Sequence, residues 1–207
     1  MRLYRVPFST NVERVALALA YKGLDAEPVE VDANDRTVVE RASGQPLTPV
    51  LETDDGEVIA DSTAILEWLE ARYPDPPLYP SATAGRAATE IVVDWFNHVW
   101  KAPPNLIDAE RRRPAPDDAA IARWADELRG SRDRFEALLT GGEFLVGNVL
   151  SVMDVVAFPF LKYAALAPDP ADTDTFHGVL HEHLAGDGHP RLHAWIARMD
   201  QLPRRPA

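Results

Sequence analysis

Residues 47–66 read LTPVLETDDGEVIADSTAIL. Two short runs, Pro49-Val-Leu-Glu-Thr53 and Glu57-Val-Ile-Ala60, flank Asp55-Gly56. An Asp-Gly pair between such runs is a hairpin signal, because both residues tolerate the positive φ of a tight turn. Asp61-Ser62 then opens a helix whose Ile65, Leu66 and Leu69 share one face. Upstream, Leu3 to Val6 reads as a strand. Asn11 to Lys22 reads as a helix, with Val12, Val15, Ala16 and Leu19 at i, i+3, i+4 and i+7. Glu27 to Asp32 reads as a strand and Asp35 to Ser43 as a helix. The order β-α-β-α-β-β-α implies a parallel opening pair with a right-handed crossover, to which the hairpin adds antiparallel strands.

Residues 74–80, Pro-Asp-Pro-Pro-Leu-Tyr-Pro, hold four prolines in seven positions, a composition that resists helix and central strand. The expected organisation is an α/β domain over 1–76, a linker over 77–82 and an all-helical bundle over 83–207. Helices are predicted near Gly85 to Arg112, Asp117 to Leu139, Ser151 to Ala165, Thr175 to Leu184 and Pro190 to Met199. In the last, Leu192, Trp195, Ile196 and Met199 mark the inward face.

The 207 residues are 46% hydrophobic and carry a formal charge of −12, which disfavours nucleic acid because neutralising phosphates needs a basic face. With no cysteine, the chain has no disulfide, no thiolate nucleophile and no Cys-ligated metal. Any thiol chemistry is therefore done on a thiol that arrives as a ligand. No apolar run is long enough to span a bilayer and the start has no signal-peptide core, so a cytoplasmic protein without membrane partners is expected. His177 and His181 have the i, i+4 spacing of a helical metal pair, but no H-E-x-x-H motif accompanies them. With His183, His189 and His193 they read as solvated histidines of a surface segment, and no metal is expected. Arg111-Arg112-Arg113 reads as complementing a helix C-terminus, with an anion clamp as the alternative.

Three short constellations carry chemical content. Pro7-Phe8-Ser9-Thr10-Asn11 places two hydroxyls and an amide where a strand turns into a helix: either an N-cap, or a donor to an anion at the positive end of the helix. Leu47-Thr48-Pro49 starts a strand with a proline, where no central ladder bond is lost. Asp61-Ser62 starts a helix, either as a cap or as an anchor for a ligand's ammonium and carboxylate.

Together, in this order and spacing, the three resemble the cytosolic glutathione transferase family, over nearly the whole chain. The resemblance implies a thioredoxin-like first domain, a helical second domain, glutathione as co-substrate and a homodimer. It puts Ser9 where the family holds or attacks the glutathione sulfur, with Thr10 and Asn11 as neighbouring donors. It makes Pro49 the family's cis-proline, so that Thr48 pairs its backbone with the cysteinyl group, and Asp61-Ser62 the grip on the γ-glutamyl end. Where many members carry Lys, Arg or Gln for the glycyl carboxylate, this chain has Leu47, with Gln45 two residues back. The electrophile pocket is expected against Phe8 and along the helix after the linker, where Asn97 and Trp100 lie in an aromatic-rich stripe that also suits core packing. Ser151-Val-Met-Asp154 resembles the family's N-capping box. The activity implied is conjugation of glutathione or a related thiol to an apolar electrophile. Thiol-dependent isomerisation of maleyl compounds and a non-catalytic interaction module are the alternatives.

Overall fold

Strand β1 (Arg2–Arg5) lies inside a four-stranded sheet of order β2-β1-β3-β4, with β2 at Glu27–Glu30, β3 at Val50–Glu52 and β4 at Val58–Ala60. It pairs parallel with β2 and antiparallel with β3, which pairs antiparallel with β4. The computed structural model describes residues 1–206. By their contacts these form two units, one of residues 1–81 with the segment from Leu202 onward, the other of residues 82–201.

The pleat sorts the first unit's core. Tyr4 and Val50, paired across β1 and β3, cluster with Val31 and with Val39 of α2 (Thr37–Ser43) on one face. Leu3 and Leu51 alternate to the other face and are fully buried. So are Val15 and Leu19 of α1 (Thr10–Tyr21) and Ile65, Leu66 and Leu69 of α3 (Ser62–Arg72), two helices that pack on each other.

The proline-rich segment is docked rather than loose, for a polar and an apolar reason. Leu78 and Tyr79 are buried, and their N–H groups donate to Glu70 at 3.1 and 3.3 Å. Lys22 Nζ reaches Glu70 at 2.7 Å and the carbonyls of Tyr73 and Pro76 at 2.6 and 2.9 Å. A buried carboxylate with a cation and two amides on it fastens the segment to α1 and α3. Residues 202–206 likewise belong to the first unit by their contacts, where the sequence places them with the helical one.

The second unit is helical. The single helix predicted over 85–112 is three pieces: α4 (Thr83–Trp95), a π-helical turn (Phe96–Trp100) and α5 (Ala102–Arg111). Pro103 and Pro104 have no N–H to continue the ladder, so the helix restarts with prolines in its first turn. Then come α6 (Asp118–Leu138), α7 (Val152–Leu161), α8 (Thr175–Leu184) and α9 (Pro190–Asp200). Among the described residues no helix is long and apolar enough to cross a membrane.

Asp154 organises the buried start of α7. Its carboxylate accepts from Ser151 N at 2.9 Å, Ser151 Oγ at 2.8 Å, Leu145 N at 2.8 Å and Trp195 Nε1 at 2.8 Å, completing a capping box and tying it to α9. Burial pushes this carboxyl above its ordinary range, while the four donors pull it back. Asp154→Ala would strand buried N–H donors, each costing about 1–3 kcal/mol. We expect a loss of at least about 3 kcal/mol in urea denaturation, with little recovery in Asp154→Leu.

Candidate functional site

β1 and β4 each run antiparallel to β3, so they point the same way. The helices that follow them, α1 and α3, therefore begin at one edge of the sheet, and β3 starts there too. Register confirms it: Tyr4 faces Val50 and Val50 faces Ala60, one residue from Pro49 on one side and Asp61 on the other. Ser9, Thr48-Pro49 and Asp61-Ser62, separated by up to 53 positions of chain, thus converge on the edge where two helices present first-turn amides that make no bond within the helix. The Thr48–Pro49 peptide is cis.

The two non-glycine residues with positive φ among those described stand at this edge: Phe8 at +61° and Asp61 at +79°. Such conformations cost of order 1–3 kcal/mol and concentrate where a site needs a particular backbone direction. Each immediately precedes a serine, Ser9 or Ser62.

Ser9 is the N-cap of α1, its Oγ accepting from Val12 N at 3.4 Å. That contact is long, and it uses a lone pair while leaving the hydroxyl proton to be donated. Cap and donor are thus compatible roles. Thr10 is buried in the first turn, Asn11 half-buried and Thr48 half-buried, while Phe8 is exposed. Asp61 caps α3, its Oδ1 accepting from Thr63 N at 2.7 Å and Ala64 N at 3.3 Å, and its other oxygen lies outside the cap.

Ser62 is only 2% exposed, and its Oγ accepts from Arg14 Nη1 at 3.3 Å. Toward a ligand its side chain is occupied, which leaves its backbone at the helix start. Arg14 was not anticipated as a site residue. Burial pushes its guanidinium down to about 9, with Asp61 opposing that shift, so it remains a cation at neutral pH behind the acidic cap. Its sequence signal was a charge on the apolar face of α1, with Thr10 and Leu17.

Other expectations are corrected. Trp100, in the stripe expected to line the electrophile pocket or to pack in the core, is buried, stacked on Phe96 at 4.5 Å, edge-on to Phe135 and Phe160, and donates to Ser131 Oγ at 2.9 Å. Asn97 is half-buried on the π turn. Leu47 is 72% exposed, and Gln45 spends its amide on its own loop, bonding Ser43 Oγ, Leu47 O and Leu47 N. His177 and His183 are buried rather than solvated. His177 bonds Asp172 at 2.6 Å and stacks on Tyr163, while Arg111 and Arg129 flank the ring nitrogens of His183. No group of three or more potential ligands gathers around a metal position among the described residues. Arg111, Arg112 and Arg113 pair with Glu182, Asp108 and Glu110 at the end of α5. A groove of about 800 Å³ lined by Arg2, Tyr4, Arg41 and Glu52 opens at the opposite end of the sheet, away from this edge.

A four-stranded α/β unit with a cis-proline and two helix starts on one edge, followed by a helical unit, is a thioredoxin-like binding domain joined to a helical one. Residues 3–77 match the glutathione S-transferase N-terminal domain, and residues 118–198 the C-terminal domain. A maleylpyruvate isomerase from a Ralstonia species is 30% identical, over 79% of this chain and 82% of that protein. Glutathione S-transferase omega-1 of Sus scrofa is 27% identical, over 98% of this chain and 78% of that protein. Among solved structures, a glutathione S-transferase from Methylobacterium radiotolerans in complex with glutathione sulfonate is similar. It has a TM-score of 0.74 and 25% identity, covering 100% of this chain and 96% of that one. The chain belongs to the glutathione S-transferase family, and is a glutathione-dependent transferase or isomerase.

The cap at Asp61 is separable from its charge. Asp61→Ala loses both acceptor contacts and strains a positive-φ position, costing about 1–2 kcal/mol. Asp61→Asn still accepts and tolerates positive φ but removes the charge facing buried Arg14, so its urea midpoint is expected to fall less than that of Asp61→Ala.

Proposed function

We propose that the protein binds glutathione along this edge, activates its thiol with the Ser9 hydroxyl, and adds the thiolate to an apolar electrophile. The observation that carries the reading is the convergence of Ser9, the Thr48–Pro49 cis peptide and the Asp61 cap on one strained edge with two helix N-termini. The thiolate sits at the start of α1, where Ser9 donates to sulfur and the helix dipole favours the anion, with Thr10 and Asn11 beside it. Thr48 offers its backbone to the cysteinyl segment, with Pro49 fixing that turn. The carboxylate of Asp61 takes the γ-glutamyl ammonium, and the amide of Ser62 faces the γ-glutamyl carboxylate. The exposed Leu47 and the committed Gln45 supply no cation for the glycyl end, so affinity rests on the other two segments.

A free thiol of pKa ~8.5 is only a few per cent thiolate at neutral pH. A hydrogen bond to a charged group contributes about 1.5–3 kcal/mol, which lowers that value to about 6.5–7.5. No side-chain base is then needed. The sulfur lone pair forms the bond to carbon, and the leaving group departs with its electron pair or the adduct takes up a proton.

A second reading is supported by the 30% identity to a maleylpyruvate isomerase and the 38% identity, over 93 residues, to a maleylacetoacetate isomerase of Pseudomonas aeruginosa. In it the same thiolate adds to a cis double bond, leaving the electron pair as an enolate, the now single bond rotates, and elimination re-forms the double bond as trans and returns the thiolate. Family membership supports a homodimer working in the cytoplasm; light scattering in solution checks the dimer.

Ser9→Ala is expected to move the thiolate absorbance of bound glutathione about one pH unit higher and to lower kcat/KM roughly tenfold at neutral pH. An unchanged pH–rate profile removes Ser9 from the mechanism. Chlorodinitrobenzene and maleylpyruvate, assayed side by side, separate conjugation from isomerisation. Asp61→Asn should raise the KM for glutathione roughly tenfold while kcat holds, since it keeps the cap and loses the charge facing the ammonium.

A further inference from the structure

The C-terminal segment runs along the first unit's α1. Arg204 donates from Nε and Nη2 to Glu13 Oε1 at 3.2 and 2.9 Å. The Arg205 N–H donates to the Ala16 carbonyl at 3.0 Å, and its guanidinium reaches Asp25 at 3.1 Å. Arg5 Nη1 donates to the Pro206 carbonyl at 3.1 Å.

Two of these contacts fall at the ends of one turn, while Arg205 holds the segment to Ala16 within α1 and to Asp25 beyond it. Arg5 is the last residue of β1, and the Glu13 amide makes the first hydrogen bond of α1, to the Ser9 carbonyl at 2.9 Å. Arg5 and Glu13 are therefore the two ends of the turn that carries Ser9, and the C-terminal segment holds both. The Arg204 and Glu13 side chains are 22% and 15% exposed, so the pair is less screened than an ordinary surface ion pair. The turn between them holds Phe8 and Ser9. Ser9's cap contact is long and Phe8 sits at positive φ, so its geometry depends on what grips its ends.

We propose that this segment is a clamp on the β1–α1 turn, and that Arg204, acting through Glu13, is a positioning residue that sets where Ser9 presents its hydroxyl. The proposal rests on the reading of Ser9 as the thiol's donor. A donor displaced by about an ångström loses much of its effect on a developing or resting anion, so loosening the clamp reaches the sulfur without touching it. Charge fixes the segment at both ends of α1, with Arg204 set against Glu13 in its first turn and Arg205 against Asp25 beyond its last residue.

The test uses the full chain with Arg204→Gln, Arg204→Lys and Glu13→Gln, and with Ser9→Ala as reference. The thiolate absorbance of bound glutathione is titrated against pH, and urea midpoints and hydrogen exchange of amides 9–13 are measured alongside. Arg204→Gln and Glu13→Gln are expected to raise the thiol midpoint by about half the Ser9→Ala shift, to lower kcat/KM about threefold and to speed exchange in the turn. Arg204→Lys should restore part of each. If Ser9→Ala moves the midpoint but Arg204→Gln and Glu13→Gln change only the urea midpoint, the clamp is merely structural and the proposal fails while the Ser9 reading stands. If Ser9→Ala itself leaves the midpoint in place, the Ser9 reading fails and takes the proposal with it.

Discussion

A helix cannot hydrogen-bond its own first-turn amides, and in this fold two helices turn those amides toward the same edge of one sheet. The polarity of four short strands decides this, because β1 and β4 both run antiparallel to β3. What gathers at the edge answers that constraint. Ser9 and Asp61 cap the two helices, Phe8 and Asp61 take positive φ to bring the chain around, and Arg14 lies buried behind the acidic cap. The site is a consequence of how the sheet disposes of two helix starts.

The chemistry follows from what those caps leave over. A serine that caps a helix accepts a hydrogen bond, and its proton remains to be given. In a chain without cysteine, a reacting sulfur has to come with the ligand, and on the proposed reading the protein supplies a donor and a dipole. On that reading the orientation of the Ser9 hydroxyl is what the proposed clamp on its turn controls.

The helical unit shows the opposite use of polar groups. Asp154 is completely buried, yet it satisfies four donors and holds the start of α7 to α9. Around it the aromatic residues interdigitate, Phe96 on Trp100, with Phe135 and Phe160 edge-on. An aromatic stripe at helical spacing was core here, as close packing of large apolar groups favours. Trp100 belongs to that packing.

Local rules sufficed for much of this protein. Hydrophobic periodicity located α1, α3 and α9, the Asp-Gly turn located the hairpin, and Ser9, Asp61 and Ser151 each announced a helix start, because propensity and capping act within a few residues. The consecutive prolines 103 and 104 were equally local and were passed over, which hid the break between α4 and α5. The sequence by itself determined the order of elements, the caps and the absence of a protein thiol. Only the tertiary structure decided that Arg14 meets Ser62, that Leu78 and Tyr79 dock on Glu70, that two histidines are buried, and that Arg204 returns to Glu13. Each of those pairs distant stretches of chain, and burial and charge compensation at such range depend on how the elements pack, which no local pattern encodes.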